Sequence, residues 1–69
     1  MKLKEIIDYV DKYQRITLAY TGDLHARFDG IVFELYDGST AHDKLLNSKI
    51  VKIGSCLFNL CIELEKQEN

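Results

Sequence analysis

The stretch LKEIIDYVDKYQRITLAY, residues 3–20, decides the fold class, because its apolar period changes halfway along. Leu3, Ile6, Ile7 and Val10 fall at i, i+3, i+4 and i+7, which is one stripe of an amphipathic helix. Lys4, Glu5, Asp8, Asp11 and Lys12 fall mainly on the other side. From Gln14 the period drops to two. Ile16, Leu18 and Tyr20 alternate with Arg15, Thr17 and Ala19, the pattern of a half-buried strand. So short a helix is not stable alone, so its stripe needs a sheet to pack on.

Working outward, Thr21-Gly22-Asp23 supplies a turn, and a second strand is predicted from His25 to Leu35. Ala26, Phe28 and Val32 share one parity, and Ile31, Phe33 and Leu35 share the other. This change at Asp29-Gly30 predicts a bulge or sharp bend. Asp37-Gly38 is the next break. Ser39 or Thr40 then caps a short helix over Ala41 to Leu46, ended by Asn47. Ile50 to Ile53 reads as a third strand and Gly54-Ser55-Cys56 as the following turn. Phe58, Leu60, Ile62 and Leu64 alternate with Asn59, Cys61 and Glu63 in a fourth strand. Glu65 to Asn69 reads as a frayed polar tail.

The predicted class is α+β, in the order α-β-β-(short α)-β-β. The N-terminal helix lies on a small four-stranded antiparallel sheet, or the sheet curls into an SH3-like partial barrel. The 69 residues form one domain, 1–69. With 46% hydrophobic and 29% charged residues, the composition is that of a globular chain. Domains this small often lean on a staple. Cys56 and Cys61 would close only a short loop, so both read as reduced thiols and self-association becomes the expected staple. No apolar run approaches the ~20 residues of a membrane span, and Glu5 and Asp8 interrupt any signal core. The expected location is the cytoplasm, with no membrane partner.

Chemistry-bearing patterns are sparse. His25, His42, Cys56 and Cys61 supply four ligand types, but their spacings fit no zinc motif. Cys56 with His42 and Asp43, or Cys61 with His25 and Asp23, has the residue types of a nucleophilic triad without a nucleophile elbow or oxyanion loop. The four glycines match no phosphate-binding motif. The chain therefore reads as non-enzymatic, with no cofactor, no metal and no catalytic residues. Asp23, Asp29, Glu34, Asp37 and Asp43 read as a solvated face, since a net charge of −2 is small for a nucleic-acid mimic.

Aromatic residues beside basic ones carry more weight. Tyr13 stands near Arg15, and Tyr20 near His25 and Arg27; Tyr36 is a fourth tyrosine beside Tyr9. Tyrosine and arginine are enriched at protein hot spots and also stack on bases. Tyr9 and Tyr20 could equally cover the edge of the core. Candidate contacts are Tyr13, Arg15, Tyr20, His25, Arg27 and Tyr36.

Several segments, taken together, resemble a known group. They are Leu3-x-x-Ile6-Ile7-Asp8, Ile16-x-Leu18, Phe28-Asp29-Gly30-x-Val32, Leu45-Leu46 and Val51-x-Ile53. The pattern is similar to short phage- and prophage-encoded α+β accessory proteins. The resemblance implies a mobile-element protein acting in a bacterial cytoplasm, a setting that includes inhibitors of host defence such as anti-CRISPR proteins. The functional expectation is thus a protein-interaction module binding a host or phage protein, in the form of a phage-borne inhibitor. The alternatives are a small-ligand, nucleotide or nucleic-acid binder, and a self-assembling homo-oligomeric subunit paired through Phe58 to Leu64 or a sheet edge.

Overall fold

A computed structural model describes residues 1–66, apart from the side chain of Cys56. The elements are α1 (Leu3–Ile7), β1 (Arg15–Tyr20), β2 (Phe28–Ile31), a 3₁₀ helix (Val32–Tyr36), α2 (Thr40–Leu46), β3 (Ile50–Cys56) and β4 (Asn59–Leu64). The α+β class is as read from the sequence. The helical stripe of residues 3–10 also packs as read, although α1 itself is only five residues long. Leu3 and Ile7 are buried, and Ile6 and Val10 pack against the core. Past Ile7 the amides of Tyr9 and Val10 donate three residues back, to the carbonyls of Ile6 and Ile7. Tight turns of this kind close a helix early.

The sheet is mixed, not antiparallel, with strand order β2-β1-β4-β3. Strands β1 and β2 form an antiparallel hairpin, as do β3 and β4, but β1 and β4 run parallel with Ile16 opposite Leu60 and Leu18 opposite Ile62. The reason lies in residues 32–49. Their two helical segments carry the chain back along the length of the sheet, so β3 starts at the end where β2 started. A crossover of a dozen or more residues is what same-direction strands require. The sheet stays open, with β2 and β3 as its edges, and does not close into a barrel.

The second strand is also shorter than expected. It begins at Phe28 and ends at Ile31, where the chain turns into the 3₁₀ helix. The parity change near Gly30 therefore marks a strand passing into a helix, not a bulge. Val32 and Leu35, three residues apart, are both buried by it. Ser39, rather than Thr40, caps α2: its hydroxyl accepts from the His42 amide at 3.2 Å. Strand β3 runs through the expected turn, which falls instead at Leu57-Phe58, and a register shift at Val51 accompanies its start.

One face of the sheet holds the core. Ile16, Leu18, Phe28, Ile62 and Leu64 meet Leu3, Ile7, Val32, Leu35, Leu45 and Leu46 from the helical layer. The edge of the Phe28 ring meets His42 with centroids 5.2 Å apart. Fully buried Ser48 joins α1 to α2: its hydroxyl donates to the Lys44 carbonyl at 2.7 Å, and its own carbonyl accepts from Leu3 at 2.9 Å. The predicted tail starts out anchored, since the Glu65 amide donates to Lys49 at 2.8 Å. The remainder of that tail, 67–69, lies outside the described residues.

Candidate functional site

Two ends of the sheet differ in character. At the first, the start of β1 meets the end of β2 and the β3–β4 turn, because Arg15 pairs with Ile31 and Ile16 with Leu60. The loop 8–14 closes this end. Its Lys12 and Gln14 carbonyls accept from the amides of Phe33 (2.9 Å) and Val32 (3.1 Å), holding the 3₁₀ helix. The Gln14 side-chain amide donates to the Phe58 carbonyl at 2.8 Å, holding the hairpin turn. Asp11 orders the loop itself, accepting from the Tyr13 amide at 2.8 Å.

These bonds gather exposed apolar side chains from three separate segments: Tyr9, Tyr13, Phe33, Tyr36, Leu57 and Phe58. Leu57 is 99% exposed, and Phe58 and Tyr9 are each 90% exposed. Leu57 also sits at φ 55°, in the left-handed region that a leucine seldom adopts. The backbone at the turn thus accepts strain while presenting two large apolar groups to water. Strain with no packing in return is a mark of functional positions.

Between α1 and the 3₁₀ helix lies a groove of about 260 Å³, with Ile7, Val10, Val32 and Phe33 on its walls and Asp8, Lys12 and Tyr36 around it. The Tyr36 hydroxyl donates to Asp8 at 3.2 Å. Burial, followed by that bond to a carboxylate, raises the Tyr36 phenol above its ordinary value.

At the opposite end, Tyr20, His25 and Arg27 flank the β1–β2 turn. The Arg27 guanidinium stands 5.7 Å from the Tyr20 ring centroid and pairs with Asp23 at 2.9 Å. Lys66 approaches the same carboxylate at 3.6 Å. The hydrogen bond from Arg27 is the chief cause holding the Asp23 carboxyl below its usual range.

The six residues singled out in the sequence therefore divide. Tyr13, Arg15 and Tyr36 lie at the aromatic end, and Tyr20, His25 and Arg27 at the other. The strand between them, β1, spans roughly 17 Å at 3.3 Å per residue. Arg15 is paired with Asp29 at 3.5 Å, so both arginines already have carboxylate partners. Tyr20 packs against the core, whereas Tyr9 stands in water. Sequence reasoning missed Phe33 and Phe58 by assigning them to strands, and left Leu57 outside the turn, which it set at Gly54-Ser55-Cys56. It gave no role to Gln14, which joins the loop to the turn.

The triad groupings are not assembled as the residue types suggested. His42 bonds Asp37 at 2.9 Å through Nδ1, rather than Asp43, and the Cys56 side chain lies outside the described residues. Cys61 is half-buried on β4, opposite Gly54 of β3. Among the described residues, no three His, Cys, Asp or Glu side chains are placed to hold a metal ion, and no helix is long and apolar enough to cross a membrane.

Comparison with protein-family models, curated proteins and solved structures finds no match to this chain.

Proposed function

We propose that the protein is a non-enzymatic interaction module that contacts a partner protein through its aromatic end. The observation that carries this reading is the gathering of six exposed aromatic and aliphatic side chains from three segments, with strained Leu57 at the tip. Large aromatics presented together, and not scattered singly, are what protein hot spots use. Both arginines are paired with aspartates at opposite ends of β1, which favours a protein partner over a phosphate backbone. The pattern shared with phage accessory proteins makes a bacterial defence protein the first partner to try.

Capture from a bacterial lysate, with the chain as micromolar bait, tests the reading. A specific host protein is expected on the wild type, lost on Phe33→Ser and Phe58→Ser, and kept on Arg27→Gln at the far end. Failure to retain any protein specifically, or equal capture by all four baits, would overturn it. Co-expression with an active CRISPR system tests the inhibitor form, where restored phage plating is the expected result.

A further inference from the structure

Strand β3 is an outer edge of the sheet, and only part of that edge is covered. The Leu3 amide donates to the Ser48 carbonyl at 2.9 Å and the Ile50 amide to the Met1 carbonyl at 2.8 Å, so residues 1–3 lie along residues 48–50. Past the register shift at Val51, Lys52, Gly54 and Cys56 stand opposite Glu63, Cys61 and Asn59 of β4. A two-residue turn at Leu57-Phe58 makes Cys56 and Asn59 the closing hydrogen-bonded pair, so the backbone of Gly54 and Lys52 also bonds toward β4. The amides and carbonyls of Ile53 and Ser55 therefore point away from the sheet, where no strand of the described residues pairs with them.

Little guards this part of the edge. Between Ile50 and Phe58 the only charge is Lys52, and proline is absent. Val51 and Ile53 are about half exposed and Leu57 wholly so. The other edge, β2, is four residues long and carries Asp29, which Arg15 and Thr17 hold.

We infer that a second copy of this chain pairs antiparallel with β3 about a two-fold axis at Gly54, joining the two sheets edge to edge. Fit along the strand selects both the occupant and the register. An axis at Lys52 sets two lysines face to face, which is unfavourable. An axis at Ile53 brings the copy's residue 56 to the place beside Ile50 that Met1 fills. An axis at Ser55 shortens the pairing to residues 54–56. The axis at Gly54 avoids all three. The outward groups of Ile53 then meet those of the copy's Ser55, and the reverse, in two hydrogen-bonded pairs. Lys52 faces residue 56 of the copy and no charge. The copy's strand ends in its own tight turn just short of Met1, and its Leu57 comes to lie beside Val51. A longer extended strand in the same register runs into Met1. Leu57, strained and unpacked in the single chain, gains a neighbour. This dimer goes beyond the reading of the aromatic end: it takes the β3 edge and Leu57, and leaves Tyr9, Tyr13, Phe33 and Tyr36 open.

Sedimentation equilibrium of the untagged, reduced chain from about 5 μM to about 500 μM tests it, a range suited to the weak association of a small interface. The wild type is expected to pass from one copy to two across that range. Ser55→Pro removes an outward amide and none that bonds β4. It is expected to keep the urea midpoint and weaken the dimer at least about tenfold, the scale of a hydrogen bond lost on each side of the axis. Phe33→Ser, away from the edge, is expected to leave association unchanged. A second arm does not depend on how the proline variant folds. In a chain with Cys56→Ser and Cys61→Ser, Gly54→Cys sets two thiols face to face on the axis, at the roughly 4.5 Å Cα separation of a non-hydrogen-bonded pair. Nothing lies within 4 Å of a Cβ at Gly54, so the side chain fits. Mild oxidation is expected to lock this dimer at least about tenfold faster than Thr40→Cys in the same background, exposed at the start of α2. A single copy at every concentration would overturn the inference. So would association unchanged by Ser55→Pro, or Gly54→Cys locking no faster than Thr40→Cys. Association lost on Phe33→Ser but kept on Ser55→Pro would move the self-contact to the aromatic end and overturn it as well.

Discussion

Gly30 shows how one absent side chain shapes a local structure. It is buried on the core face of β2, opposite Ile16. A Cβ placed there would lie 2.9 Å from Glu34 Oε1. That oxygen accepts from the Ile31 amide at 3.1 Å and so caps the 3₁₀ helix. Gly30→Ala is expected to displace the Glu34 carboxylate and lower stability by about 1–2 kcal/mol, the scale of a lost helix cap. Chemical denaturation measures this, and a loss below about 0.3 kcal/mol would show that Glu34 simply moves aside. Leu57 is the opposite case, a side chain where glycine would be easier. Its left-handed backbone carries a penalty of roughly 1–2 kcal/mol, and its exposure means that its removal forfeits almost no burial. Leu57→Gly is therefore expected to leave stability unchanged or raise it by up to about 1 kcal/mol. Denaturation with a loss of more than about 1 kcal/mol would mean that Leu57 supports the fold rather than the surface.

Among the elements, α2 decides the topology, since it carries the chain back along the sheet before β3. It is only seven residues long and depends on its ends. Ser39 caps its start, Asn47 bonds back to the Asp43 carbonyl at 2.9 Å, and Ser48 bonds to Lys44. Ser39→Ala is expected to destabilise the fold by about 1 kcal/mol. Thr40→Ala, at a position that does not cap, is expected to change it by less than about 0.5 kcal/mol. Thermal unfolding of the pair checks this, and equal losses would remove Ser39 from its capping role. Helix α2 was legible because its cap and stop residues act locally, and so was the core face of β4, where Leu60, Ile62 and Leu64 alternate with polar residues. The parallel pairing of β1 with β4 was not, since strand direction depends on how far residues 32–49 travel, which alternation does not encode. The aromatic end was half legible for a related reason. Tyr13 and Tyr36 stood out by residue type, but Phe33 and Phe58 continue apolar alternation and so read as strand positions. Only the passage into the 3₁₀ helix and the two-residue turn take them out of the core.

For the whole molecule, fixed edges matter as much as fixed cores. Strand β4 lies between β1 and β3, so its backbone cannot serve the self-assembly expected of Phe58 to Leu64, and pairing through the sheet would have to use β2 or β3. Two turns of the chain are each held by a carboxylate whose ionised form the fold favours. At one, Asp23 is stabilised first by the hydrogen bond from Arg27, with Lys66 adding attraction, which ties the β1–β2 turn to the segment just past β4. At the other, Asp37 is stabilised first by the Ser39 amide and then by His42, at the start of α2. Both carboxyls lie below their ordinary value of 3.8. A depressed folded-state value means that the unfolded chain takes up the proton first as the pH falls. Their contribution is therefore complete above the ordinary value and disappears as the pH drops through the folded one. Tyr36 acts in the reverse sense, because its phenol is raised above 10.0. Its contribution is complete below that value and is lost as the pH climbs past it. Stability should thus fall off on both sides, in acid below about pH 4 and in alkali above about pH 10. Asp23→Asn and Asp37→Asn are expected to flatten the acid limb and leave the alkaline one, whereas Tyr36→Phe should flatten only the alkaline limb. Urea midpoints measured across pH for the three variants decide the assignment, and an acid limb equally steep in both Asn variants and the wild type would place acid sensitivity elsewhere in the chain.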